Sequence, residues 1–260
     1  MTGMISSTTN PKIKNIAKLN KSPKARKEQG SFLVEGPRMF FEVPVDQLKE
    51  VYVTEEFEKR YSERLSGYTY ELISDQVCRH ISDTKTPQGV LAVVRQNSMT
   101  LDQILSLEEK PLFLLLESLQ DPGNLGTIFR TAEGAGVTGI IMNRETVDPY
   151  NPKVIRSTMG TVFRAPFVVV EDLKDAIERL QKRGISVYAG HLEGRIFYDE
   201  DYAGGSGFLI GNEGKGLTEE ISSLADGKIR IPMKGQVESL NAAIAATVLV
   251  YEAQRQRGWR

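Results

Sequence analysis

The chain has 260 residues, 40% of them hydrophobic, which is enough to bury a core in two domains of roughly 100–150 residues each and excludes wholesale disorder. One cysteine, Cys78, excludes an internal disulfide, and two histidines, His80 and His191, form no cluster with metal-ligand spacing, so a reducing, cytoplasmic setting without a metal is expected. The formal net charge of -1 hides an asymmetry, because Lys12, Lys14, Lys18, Lys21, Lys24, Arg26 and Lys27 crowd the first thirty positions against the single acid Glu28.

That basic stretch reads as an arm over residues 1–30. It has no apolar leader, and the most apolar run, 242–251, is about half the ~20 residues that span a bilayer, so neither secretion nor membrane insertion is expected. From Ser31 short apolar runs alternate with helix-like stretches. Residues 32–35, 50–54, 68–73 and 89–95 read as strands, with helices from 38–41 onward, over 55–65 and over 75–81. This α/β unit covers 31–100. A polar stretch with a short helix at 101–107 places the domain boundary between Gln96 and Pro111.

The second half, 107–260, repeats the alternation with strands at 112–116, 139–142, 167–170, 186–189, 207–210 and 228–231. These are apolar on both faces, the pattern of a parallel sheet covered by helices on both sides. The last helix, from Leu240 to about Arg255, is apolar almost all round and is expected to be buried or to sit at a subunit interface. No internal repeat or low-complexity segment is present.

Three familiar patterns fail on context. Gly134, Gly136 and Gly139 match G-x-G-x-x-G, but they follow a helix and precede a strand, the reverse of the dinucleotide fingerprint. The segment 211–216 pairs Gly214 with Lys215, yet Leu209 and Gly216 stand where a Walker loop needs Gly and Ser or Thr. His191 and Glu193 form an H-x-E without the P-C-x-x-C that a zinc deaminase requires.

Three other segments leave strands and carry polar residues. ESLQDPGNLGTIFR, residues 117–130, passes a Pro-Gly turn and enters a helix at about Leu125, with Leu125, Ile128, Phe129 and Ala132 as its buried stripe. Asn124 is either a helix cap or a site residue, and Arg130, off the stripe, is either a solvated cation or a functional one. GFLIGNEGKGL, residues 207–217, runs from a buried strand into a loop where Gly211, Gly214 and Gly216 permit positive φ and close approach to a ligand, with Asn212 and Glu213 beside them. IPMKGQVESLN, residues 231–241, leaves another strand and opens the apolar helix, with Ser239 as a possible cap and Asn241 in the first turn. The three exits can converge on one pocket at the carboxyl ends of the strands.

At these residues the sequence resembles the SpoU (TrmH) family of RNA 2′-O-ribose methyltransferases. That family shows an Asn followed six residues later by Arg, then a Gly-Asn-Glu-Gly-x-Gly-Leu loop, then Ile-Pro-Met and Ser-Leu-Asn opening a helix; Asn124 and Arg130, residues 211–217 and residues 231–241 stand in that order here. Ser157, Thr158, Met159 and Gly160, ahead of Phe163 to Pro166, are similar to the segment usual between the first two motifs. Residues 10–14 and 32–36 resemble the substrate-binding domain of one branch, which implies an L30e-like α/β fold before the catalytic domain.

The resemblance implies a SPOUT-type trefoil-knotted parallel sheet, where patterning alone gives an open doubly wound one. It implies S-adenosylmethionine as cofactor, held by Gly211, Ile231 and Leu240 through their backbones, with Asn212, Gly214 and Met233 lining the pocket. It assigns Arg130 the proton-accepting role, with Asn124, Glu213, Ser239 and Asn241 shaping the site. A guanidinium does not release its proton in the physiological range, so Arg130 can equally fix the adjacent phosphate and stabilise a developing alkoxide. His191 is either a ligand contact or a loop histidine. The substrate implied is RNA, with ribosomal RNA favoured by the N-terminal domain and a transfer RNA 2′-O-methyltransferase as the alternative, and the assembly implied is a homodimer. A non-catalytic RNA-binding or ribosome-assembly protein would not need the intact second and third motifs, and a nucleotide-dependent oxidoreductase would need the missing strand–glycine–helix order.

Overall fold

The computed structural model describes residues 3–258, which divide into two compact units, one of residues up to 97 together with 149–163, the other of 98–148 together with 164 onward. In chain order the elements up to residue 97 are α1 (Pro11–Lys21), α2 (Pro23–Gln29), β1 (Ser31–Glu35), α3 (Pro37–Phe40), β2 (Leu48–Val53), α4 (Glu55–Arg60), β3 (Glu71–Leu72), α5 (Asp75–Ile81) and β4 (Val90–Arg95). There follow α6 (Leu101–Ile104), β5 (Leu112–Leu116), α7 (Pro122–Gly134), β6 (Gly139–Asn143), α8 (Pro152–Thr158), β7 (Phe167–Val170), α9 (Leu173–Gln181), β8 (Ser186–Ile196), β9 (Ser206–Ile210), α10 (Glu219–Ser222), β10 (Gly227–Arg230) and α11 (Ala242–Gln256).

The first unit is a four-stranded mixed sheet ordered β1-β4-β2-β3, with β4 antiparallel to β1 and β2 and β3 parallel to β2. The segment read as a basic arm is built into it. Asn10 caps α1 by accepting from the Lys12 N–H at 2.9 Å, with Pro11 in the first turn. Ile13, Ile16 and Leu19, spaced by three, are fully buried against Leu33, Tyr52, Val77, Ile81 and Leu91. Arg26 is buried too, donating to the carbonyls of Leu19 at 2.7 Å and Asn20 at 3.2 Å, groups that α1 leaves without partners at its end. The remaining lysines line the outside.

The helix expected over 55–65 stops at Arg60, and the strand expected over 68–73 shrinks to two residues, because the chain turns through Gly67 at φ 94°. Residues 149–163 belong to this unit although they lie between β6 and β7 in the chain. Tyr150 explains the attachment: its ring lies 4.7 Å from Phe32 and its hydroxyl accepts from the Asn97 N–H at 2.8 Å, while Arg156 pairs with Asp83 at 2.7 Å.

The second unit is an all-parallel six-stranded sheet ordered β10-β8-β9-β5-β6-β7. Every residue of β5 is fully buried, as its unbroken apolar run required. Alternate residues serve opposite faces: Phe113 and Leu115 join Ile104, Ile177, Leu180 and Ile221 of α6, α9 and α10 in one cluster. The other face is covered by α7 and α11, which pack on each other and on β6 and β9. The parallel sheet with helices on both sides is therefore as the patterning predicts. Strand β8 differs, running to Ile196 instead of ending at Ala189. Its pairing with β10 jumps from Ala189 to Arg195, and Gly194 is needed where it returns, since a Cβ there would stand 2.4 Å from the Ile229 nitrogen. Residues 190–193, His191 included, form the excursion.

Candidate active site

The strand order reverses at β5, with β6 and β7 on one side and β9, β8 and β10 on the other. The chain leaving β5 turns into α7 on one face, while the chain leaving β9 turns toward α10 on the other. Their carboxyl ends therefore part and open a crevice, the place where open α/β sheets bind ligands.

Beyond β5, Glu117 is buried at the end of a wholly apolar strand, and its carboxylate accepts from the Thr218 N–H at 2.8 Å and the Thr218 hydroxyl at 2.7 Å. That pair ties the exit of β5 to the exit of β9. Ser118 follows in the left-handed region at φ 55°, a conformation that costs a non-glycine residue about 1–2 kcal/mol. Asn143 holds it, accepting from the Ser118 N–H at 2.8 Å and donating to its hydroxyl at 3.2 Å, and Asn212 donates to its carbonyl at 2.9 Å.

Helix α7 begins at Pro122 rather than near Leu125, because Asp121 caps it by accepting from the Asn124 N–H at 2.8 Å. Asn124 is thus in the first turn and its side chain is committed elsewhere. Its Nδ2 donates to Glu213 Oε1 at 3.0 Å, and its Oδ1 accepts from Asn241 Nδ2 at 2.8 Å. Glu213 also accepts from the N–H groups of Gln120 at 3.0 Å and Asp121 at 2.9 Å. Burial pushes the Glu213 carboxyl up, but the Gln120 N–H, the Asn124 amide and the Asp121 N–H outweigh it and hold the group below the usual carboxylate range.

The glycine-dense loop closes on itself, Asn212 and Gly216 exchanging backbone hydrogen bonds at 3.0 and 2.9 Å while Asn212 Oδ1 accepts from the N–H groups of Gly214 and Lys215. Gly211 is required here by close approach, since a Cβ would stand 2.2 Å from the Gly216 carbonyl carbon; positive φ is needed at Gly216 and not at Gly211 or Gly214. Gly214 has room. The crowding at Gly211 comes from its own loop rather than from a ligand.

At the third segment Asn241, not Ser239, caps α11, its Oδ1 accepting from Ala243 N–H at 2.9 Å and Ile244 N–H at 3.3 Å. Ser239 is exposed and Ile231, Met233 and Leu240 are partly buried. Across 231–240 no backbone or side-chain polar group is hydrogen-bonded to a described residue. Arg130 is exposed and forms no hydrogen bond or ion pair with a described residue. It lies six residues beyond Asn124, about 9 Å along the helix and a third of a turn round, so it stands apart from the Glu213–Asn124–Asn241 chain. The sequence reading missed Glu117, Ser118, Asn143 and Thr218; a charge closing an apolar strand was the available signal. Among the described residues no group of three His, Cys, Asp or Glu could hold a metal, and no helix is long and apolar enough to cross a membrane.

A doubly wound parallel sheet whose switch-point loops are locked together by side-chain hydrogen bonds defines a ligand-binding α/β enzyme domain. Residues 111–251 match the model of the SpoU rRNA methylase family, and residues 10–92 match an MRM3-like substrate-binding domain. The chain is 33% identical, over 95% of its length and 97% of the relative's, to the 23S rRNA (guanosine(2553)-2'-O)-methyltransferase RlmP of Bacillus subtilis. Two solved structures are similar over nearly the whole chain. The AdoMet-bound rRNA methyltransferase of Sinorhizobium meliloti has a TM-score of 0.85 at 33% identity, covering 97% of each chain. The SpoU methyltransferase AviRb of Streptomyces viridochromogenes, in complex with AdoMet, has a TM-score of 0.86 at 30% identity, covering 95% of this chain and 98% of its own. The chain belongs to the SpoU family of RNA methyltransferases.

Proposed function

We propose that this chain transfers a methyl group from S-adenosylmethionine to a ribose 2′-hydroxyl of ribosomal RNA. The observation that carries the reading is the hydrogen-bonded chain Glu213–Asn124–Asn241, which joins all three motif segments at the switch point. The relative from Bacillus subtilis is named for this reaction on 23S rRNA, and both structures cited above hold AdoMet.

The residues present fit that cofactor. The unpaired amides and carbonyls of 231–240, with Met233 and Leu240 half-buried among them, offer an adenine both hydrogen bonds and apolar contact. Gly211, Asn212, Gly214, Ile231, Met233 and Leu240 would hold it. Bound there, it supplies an electrophilic methyl on a sulfonium. The chain's own part is to bring the ribose oxygen in line at about 3–3.5 Å and to exclude water. Arg130 has its donors free, which suits a fork on the phosphate beside the target ribose better than a proton acceptor. Glu213 and Asn241 keep the loops and Asn124 in place, with Ser239 at the rim.

Two further features belong to this reading. The chain leaving the edge strand β10 returns to cap α11 beside Asn124, and that return, with membership of the SpoU family, favours a threaded, trefoil-knotted path over an open sheet. Exposed Ile244 and Tyr251, two turns apart on α11, favour a homodimer through that helix. The chain would act in the cytoplasm.

The test is to incubate the protein with S-adenosylmethionine labelled in the methyl group and ribosomal RNA, then digest with alkali. Label in alkali-resistant dinucleotides supports ribose methylation. Label confined to mononucleotides, or no transfer to ribosomal RNA while transfer RNA is modified, contradicts it.

A further inference from the structure

A cleft of about 610 Å³ opens in the first unit between α4, α5 and the loop 82–89 that leads into β4. That size suits a small organic ligand. Three cations line it, Arg60, Arg79 and Lys85, and none is in a hydrogen bond or ion pair with a described residue. Other cations of the unit are engaged, Lys12 with Glu71, Arg156 with Asp83 and Arg26 with two carbonyls. The lysines of α1 and α2 that have no described partner lie on the outer surface and do not line this cleft. The two acids at the cleft, Glu56 and Asp75, stand in the first turns of α4 and α5, where a helix favours negative charge, and so have a structural reason to be there.

The walls are preorganised. Glu35 accepts from the hydroxyls of Ser82 and Thr84 and from the Asp83 N–H at 3.1 Å, which fixes the loop. Gly89 sits at φ 81° with Thr54 Oγ1 2.5 Å from where a Cβ would be, and Gly36, at φ 87°, has the Gln88 amide oxygen 2.7 Å from the same position. The Gln88 side chain therefore lies across Gly36 with donor and acceptor unpaired. On the opposite side Tyr61 packs on Phe57 with ring centroids 4.5 Å apart, and the Arg60 guanidinium lies 5.5 Å over the Tyr61 ring. Cys78, also at the cleft, is buried and its thiol is pushed up to about 11 by that burial, so it offers no nucleophile.

Unpaired cations suit a phosphate, a flat aromatic and guanidinium surface suits a base, and a free amide suits a base edge. We infer that this cleft binds one unstacked ribonucleotide of the RNA substrate, its phosphate on Arg79 and Lys85, its base against Tyr61 and Arg60, and its edge on Gln88. The inference rests on the RNA reading above but not on methyl transfer. A paired duplex hides its base faces, so the cleft selects single-stranded or bulged RNA.

The test uses the full chain and fluorescence anisotropy with a labelled single-stranded RNA decamer and the same strand in a duplex. Arg79→Ala with Lys85→Ala should weaken single-strand binding about tenfold and lower its log–log salt slope by about 0.7 to 1.4, one or two phosphate contacts' worth. Gln88→Ala should weaken it with no change in slope. Duplex affinity should stay within about twofold. A control pair on α2, Lys24→Ala with Lys27→Ala, should not discriminate the two RNAs. Wild-type single-strand affinity in the cleft variants, or an equal loss for duplex, would each overturn the inference. If the wild type binds RNA as described yet transfers no methyl group, the cleft stands and the proposed activity falls.

Discussion

Asn124 and Glu213, 89 positions apart in the chain, meet through a 3.0 Å hydrogen bond that joins the first turn of α7 to the glycine-dense loop. The bond is charge-assisted, and Asn124 passes the constraint on to Asn241. Asn124→Ala and Glu213→Gln should each weaken S-adenosylmethionine binding, and a double-mutant cycle should show coupling of about 0.5–3 kcal/mol. Additive effects in calorimetric titration would mean that the two act separately.

The same carboxylate makes stability depend on pH. Because its folded value lies below its unfolded one, its contribution is fully present above the ordinary carboxylate range and is lost as pH falls through the lowered folded value. Melting curves taken from about pH 6 to about pH 3 should fall more steeply for the wild type than for Glu213→Gln. Parallel curves would remove this role.

Gly211 and Gly214 should part company on substitution. A side chain at Gly211 collides with the Gly216 and Leu217 backbone at 2.2–2.3 Å, whereas Gly214 meets only the Asn212 side chain at 3.6 Å. Gly211→Ala should open the loop and abolish cofactor binding, and Gly214→Ala should be tolerated to within about tenfold. Equal affinities for the two variants would show that the loop does not shape the cofactor site.

Residues 112–116, 167–170 and 75–81 could be placed from sequence to the residue, because each is a local pattern bounded by turn or cap residues. Local pattern failed where a distant partner decides. Pro122 and Gly123 read as a turn, but with Asp121 as cap they start a helix. The extension of β8 through residues 190–196 exists because β10 pairs with its far end, and Tyr150 carries 149–163 to the first unit through Phe32. At the site, the three segments were legible from their polar residues at strand exits. That Asn241 rather than Ser239 caps α11, and that Arg130 stands apart, depend on orientations that spacing alone does not give.

Residues 1–30 cannot serve as a removable arm, since truncation takes Ile13, Ile16 and Leu19 from the core of the first unit. Fully buried Leu or Ile lost to Ala costs about 2–5 kcal/mol each, enough to unfold the unit. Replacing exposed Lys14, Lys18, Lys21, Lys24 and Lys27 by Gln should keep the fold and cofactor binding while flattening the salt dependence of RNA binding. An unchanged slope would leave these lysines as solvated surface.

Ile244 and Tyr251 are 49% and 44% exposed on α11, and a pair of large apolar side chains on one helix face suits a second copy of the chain. Light scattering should give twice the 29.0 kDa chain mass, and Ile244→Glu with Tyr251→Glu should return the monomer. A wild-type monomer at micromolar concentration contradicts the dimer.

Arg130 tests the account most directly, because its side chain is exposed and forms no hydrogen bond or ion pair with a described residue. Single-turnover methylation of ribosomal RNA should be compared for the wild type, Arg130→Lys, which keeps the charge and loses the planar fork, and Arg130→Ala. Both variants should melt like the wild type, to within about 0.5 kcal/mol, and bind S-adenosylmethionine normally. Both should lose on the order of 10²-fold or more in rate, the scale of a misplaced positioning group. A near-normal rate with Arg130→Ala would contradict the account and return Arg130 to the solvated surface.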